Sequence, residues 1–82
     1  VAEVTVRYWA GAREAAGVDE ERLAADTVVE VLQALAARGG RLAEVLGRSS
    51  VLVDGRVVRD DATDLRLADG QTVEVLPPFA GG

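Results

Sequence analysis

The sequence predicts an α+β fold, a mixed sheet of about five strands packed on one main helix. Three observations predict it. Period-two alternation occurs near both ends of the chain, in Val4-Thr5-Val6-Arg7-Tyr8-Trp9 and in Gln71-Thr72-Val73-Glu74-Val75-Leu76. One stretch between them, from Thr27 to Leu35, carries apolar residues at helical spacing. The order of elements is strand, strand, helix, then three strands, which leaves one sheet face for the helix and one face open.

The elements follow in order. In the first strand Val4, Val6 and Tyr8 share one face, and Thr5, Arg7 and Trp9 the other. Ala10 to Gly17 is rich in alanine and ends in glycine, which predicts a short helical turn and a reversal. Glu20 to Ala24 is a weak candidate for a return strand. Thr27-Val28-Val29-Glu30 fits a capping box, with Thr27 as N-cap and Glu30 at the third helical position. Val28, Val31, Leu32 and Leu35 then line one side of a helix that Gly39-Gly40 closes. Arg41 to Leu46 suggests a further short helical turn. Ser50 to Val53 and Arg56 to Arg59 read as strands joined at Asp54-Gly55, a strong signal for a hairpin turn with positive φ. Asp69-Gly70 turns into the last strand, and Pro77-Pro78 stops it. Residues 1–76 are the expected folded domain, and 77–82 a flexible C-terminal tail ending in Gly-Gly.

Composition excludes several kinds of chemistry. The 82 residues make one small domain, without cysteine or histidine. Disulfides, thiolate metal sites and His- or Cys-based nucleophilic dyads are therefore excluded. Nine basic residues, all arginine, face fourteen acidic ones, a net charge of −5. This balance argues against nucleic-acid binding through phosphates. No run is long and apolar enough for a membrane span, and Val1-Ala2-Glu3-Val4 does not read as a signal peptide, so the expected compartment is the cytoplasm. Asp60, Asp61, Asp64 and Asp69 lack the spacing of a calcium loop and read as a solvated acidic segment; no metal site is expected. Gly39-Gly40 does not match a phosphate-binding loop.

Two features remain. If the first and last strands pair in parallel, Trp9 and Leu76 meet at one end on the open face. An apolar pair there is a partner surface, or Trp9 is covered by a loop or packs in a small second core. The second feature is the ending Leu76-Pro77-Pro78-Phe79-Ala80-Gly81-Gly82. Six extended residues span about 20 Å, enough to carry a carboxylate into a slot in another protein. Glycine's missing Cβ lets the backbone approach a nucleotide closely. A carboxylate becomes electrophilic as an acyl-adenylate, and a sulfur nucleophile would convert that to a thiocarboxylate.

These residues resemble the MoaD/ThiS family of ubiquitin-like sulfur carriers, the MoaD branch most closely. The resemblance spans essentially the whole chain. It is carried by Tyr8-Trp9-Ala10-Gly11-Ala12-Arg13-Glu14-Ala15-Ala16-Gly17, by Leu67-Ala68-Asp69-Gly70-Gln71-Thr72-Val73-Glu74-Val75, and most specifically by Leu76 to Gly82. It implies a β-grasp fold. It also implies that an E1-like, MoeB-like adenylyltransferase activates the Gly82 carboxylate with ATP, so that no stably bound cofactor is expected on the chain itself. The resulting thiocarboxylate would enter a MoaE-like large subunit of molybdopterin synthase, with Pro77, Pro78, Phe79, Ala80, Gly81 and Gly82 as the inserted tail. Trp9, Arg13 and Leu76 match partner-facing positions. The chain would then be a protein co-substrate and not an enzyme. Carriers for thiamine, cysteine or thiosugar synthesis share the tail, and a protein modifier or a non-covalent binding module also stays open.

Overall fold

A computed structural model describes residues 1–59 and 62–78. The element order is β1 (Glu3–Tyr8), α1 (Ala10–Ala16), β2 (Glu20–Ala24), α2 (Val28–Ala36), α3 (Gly40–Leu46), β3 (Ser50–Val53), β4 (Arg56–Val58) and β5 (Thr72–Leu76). The strands form one mixed sheet in the order β2-β1-β5-β3-β4. β1 and β5 pair in parallel at the centre, and the other pairings are antiparallel. This is the β-grasp arrangement expected from the sequence. Glu20–Ala24, the weakest strand expectation, forms the β2 edge.

Alternation decides which side chains enter the core. Val4, Val6 and Tyr8 of β1 and Val73 and Val75 of β5 are buried under the helices, joined by Val53 of β3. Val28, Val31 and Leu35 come down from α2, as their spacing predicts. The longest helix is α2, and the two short helical turns expected at Ala10 to Gly17 and Arg41 to Leu46 form α1 and α3. Among the described residues three helices cover the sheet, with Ala12 of α1 and Leu42 and Val45 of α3 also buried. The reason is size. The nine residues of α2 make a rod about 13 Å long and about 10 Å across. A five-stranded sheet is about 19 Å wide at about 4.8 Å per strand. One such rod leaves part of the sheet bare, and the flanking helices close it.

The local signals act largely as read. Thr27 Oγ1 accepts from the Glu30 N–H at 3.3 Å, whereas Glu30 returns its carboxylate to the Asp26 N–H at 2.6 Å, one residue before the cap. α2 ends at a right-handed Ala37 cap, and the glycine pair lies two residues further on, with Gly39 at φ 68° and Gly40 at φ 59°. Their role is to turn the chain from α2 into α3. Asp54 (φ 48°) and Gly55 (φ 84°) form the β3–β4 turn with the two positive φ values a type I′ hairpin requires. The acidic-segment reading of Asp60 and Asp61 lies outside the described residues.

Candidate functional site

The site is built where the two central strands end together. Tyr8 stands opposite Val75 in the parallel register, and the Trp9 N–H donates to the Val75 carbonyl at 3.2 Å, carrying the ladder one residue past β1. Trp9 therefore lies on the open face, 41% exposed, beside Leu76 of β5. Leu52 of β3 stands opposite Glu74 in the antiparallel register. Trp9, Leu52, Glu74 and Leu76 line a shallow, mainly apolar groove of about 300 Å³.

Two charged side chains flank the indole. Trp9 Nε1 donates to Glu74 Oε2 at 2.9 Å. The Arg7 guanidinium carbon sits 5.2 Å from the centroid of the Trp9 ring, within cation–π range. Ala10, the next residue along, holds φ at 46°, a left-handed conformation rare for a residue with a Cβ. This kink turns the chain from β1 directly into α1, whose first turn closes through the Trp9 carbonyl, accepting from the Ala12 N–H at 2.9 Å.

The structure brings Trp9 and Leu76 together, at the end of the sheet where the chain continues toward the tail. Arg13 does not join them: it lies on α1, with Nε 3.6 Å from Asp19 Oδ1 across an exposed ion pair. Pro77 is buried and Pro78 exposed. The other tail positions, Phe79, Ala80, Gly81 and Gly82, lie outside the described residues. Leu52 and Glu74 are groove residues that the sequence reading did not single out. Alternation along the last strand already put Glu74 on the Leu76 face, but placing Leu52 there needs the β3–β5 register, which no single strand reveals.

Among the described residues there is no cluster of three or more acidic side chains arranged to hold a metal ion. Nor is any helix among them long and apolar enough to cross a membrane. A second apolar hollow, of about 360 Å³, lies at the β4 edge around Val57, Ala62 and Leu65. Among the described residues, its charged lining is Arg56 and Arg59.

Comparisons with known proteins agree on the family. The model of the ThiS family matches residues 6–82. Small archaeal modifier protein 1 from Methanosarcina acetivorans is similar in structure (TM-score 0.85), with 30% identity over 99% of this chain and 97% of that one. A putative molybdopterin converting factor, subunit 1, from Pyrococcus furiosus superposes with TM-score 0.79 and 30% identity, over 96% of this chain and 100% of that one. In fold alone, at 24% identity and TM-score 0.75, the chain resembles a component of the complex of subunits 1 and 2 of molybdopterin-converting factor from Helicobacter pylori, over 98% and 99% of the two chains. No match was found among curated proteins.

Proposed function

The chain belongs to the ThiS family of small ubiquitin-like sulfur carriers, and from that premise we propose that it carries sulfur as a thiocarboxylate on Gly82. The observation that carries this reading is the continuity of one segment. Leu76, which lines the open-face groove with Trp9, is followed in sequence by Pro77-Pro78 and then by Gly81-Gly82, all within the residues matched by the family.

The chemistry follows from the carboxylate. An E1-like, MoeB-like enzyme would bind ATP, and a Gly82 carboxylate oxygen would attack the α-phosphorus, with pyrophosphate leaving. A sulfide-level nucleophile would then add to the acyl-adenylate carbonyl and expel AMP, leaving the thiocarboxylate. The chain supplies the carboxylate and the docking surface, and its partners supply nucleotide and catalysis. Glycine at both final positions puts no side chain beside the reacting carbonyl. Trp9, Leu76 and Arg13 are the proposed partner-facing residues, and residues 77–82 the inserted tail.

Molybdopterin synthesis is the proposed destination. Its support is the likeness to the Pyrococcus furiosus subunit 1, and the assembly of the Helicobacter pylori subunit with subunit 2 suggests a MoaE-like acceptor. A second reading, conjugation to lysines of other proteins, is favoured by the 30% identity to small archaeal modifier protein 1. Both readings share the adenylation step.

The test is intact mass after incubation with ATP, sulfide and the E1-like enzyme of the same organism. The expected result is a gain matching one oxygen replaced by sulfur, localised to Gly82 and absent when Gly82 is deleted. A truncated chain that still gains sulfur would overturn the assignment. Gly82-dependent adducts on lysines, with no thiocarboxylate, would favour the modifier.

A further inference from the structure

Arg7 and Glu74 are direct neighbours in the parallel β1–β5 register, both on the open face. Opposite charges so placed ordinarily pair with each other. Here they do not: among the described residues Arg7 makes no ion pair, and both side chains turn to the Trp9 indole instead. Glu74 accepts the indole N–H at 2.9 Å, and Arg7 lies over the ring at 5.2 Å. The indole has one donor, and water could satisfy it at this exposure. The strained Ala10 fixes the backbone immediately beyond the ring. A strained backbone persists only where its surroundings over-determine it.

We propose that Glu74 is a positioning residue that, through the Trp9 N–H, locks the indole across the groove beside Leu52 and Leu76 before any partner arrives. The inference rests on the carrier reading for its partner, an activating enzyme that closes on this groove. A free indole on an open face samples several rotamers, and binding must select one. Each rotamer-rich side chain immobilised on association carries an entropic cost, which preorganisation removes from the binding step. Glu74 is suited to this role by its place on a central strand of the sheet, half-buried between Leu52 and Arg7. Arg7 holds the ring from its face and balances the charge of Glu74.

Trp9 is the sole tryptophan, so its spectrum reports on this ring alone. The experiment compares wild type with E74L, which removes the acceptor at similar size, and E74Q, whose amide oxygen can still accept. In the free chain E74L should lose most of the near-UV circular dichroism of Trp9 and lower its fluorescence anisotropy, with far-UV signal unchanged, whereas E74Q should keep both. In the sulfur-loading assay E74L should raise the KM for the carrier about 3- to 10-fold with kcat unchanged, and E74Q should restore it. W9F removes the N–H, so E74L should add nothing in that background.

A Trp9 signal indifferent to E74L overturns the positioning role. So does an E74L penalty that persists in W9F, because Glu74 would then act on the partner directly. A wild-type chain that never gains sulfur from an active enzyme overturns the carrier reading instead, and leaves the Trp9 signal of the free chain to decide whether Glu74 positions the ring.

Discussion

The Tyr8 hydroxyl, under the helices, donates to Glu21 Oε2 at 2.8 Å, and Arg38 closes on the same carboxylate from the other side. Three segments meet there: β1, the β2 edge and the turn after α2. Burial, then the hydrogen bond and charge of Glu21, push the Tyr8 phenol far above its ordinary value of 10.0. Arg38 is the main cause of the lowered Glu21 carboxyl, helped by Tyr8 and opposed by partial burial.

Stability should therefore fall at both ends of the pH scale. Glu21 has a lowered folded pKa, so its contribution is present above the unfolded value, near 4.3, and is lost as pH falls through the folded value. For Tyr8 the protonated form is favoured in the fold. Above about pH 10 the unfolded chain releases that proton while the folded chain retains it, so stability declines as pH rises toward the folded value. Urea midpoints from pH 3 to 11 should show both limbs. Glu21→Gln should flatten the acid limb and Tyr8→Phe the alkaline one. An unchanged alkaline limb in Tyr8→Phe would assign that loss to other groups.

The core is small enough that one deletion matters. Leu35 is fully buried, the largest side chain in that state among the described residues. Leu35→Ala should cost about 2–5 kcal/mol, against a total of about 4–12 kcal/mol for a chain of this size. The denaturation midpoint should fall by about a sixth or more, with little change in slope. A loss below about 1 kcal/mol would mean that α2 and α3 collapse into the vacated space.

Much of this arrangement was legible in the sequence, for reasons that differ by element. Alternation sorted Val4, Val6 and Tyr8 from Thr5, Arg7 and Trp9 because one sheet face is dry and the other wet. Thr27 and Asp54-Gly55 were legible because a cap and a primed turn each demand particular residue types. The three-helix cover was only partly legible: α3 is seven residues long, and so short a run carries little periodicity. Leu52 and the Tyr8–Glu21–Arg38 contact were not legible at all. Both depend on which strands pair and in what register, and that is settled by the whole fold.

The β3–β4 turn is also tied to the last strand. Asp54 Oδ1 accepts the Thr72 N–H at 3.0 Å and Oδ2 accepts from Gln71 Nε2 at 2.9 Å. The Thr72 N–H, then the Gln71 amide, lower the Asp54 carboxyl. Asp54→Ala removes both acceptors and leaves an alanine at positive φ, so a lower denaturation midpoint is expected. Asp54→Asn keeps one acceptor oxygen for the Thr72 N–H and tolerates the backbone, and should recover part of that loss. Equal losses in the two variants would assign the effect to charge.

Ala10 offers the opposite sign. Its φ of 46° places a Cβ in the left-handed region, at a cost of about 1–2 kcal/mol. Glycine relieves that strain but adds about 0.5–1 kcal/mol of unfolded-state entropy. Ala10→Gly should therefore stabilise the fold by about 0.5–1 kcal/mol, raising Tm by about 2–8 °C. The same change frees the backbone beside Trp9, so the near-UV signal of the indole should weaken even as Tm rises. A stabilised chain with looser Trp9 would show that the strain at Ala10 serves the groove and not the core. A chain with lower Tm would show that the kink is held by contacts that glycine fails to keep.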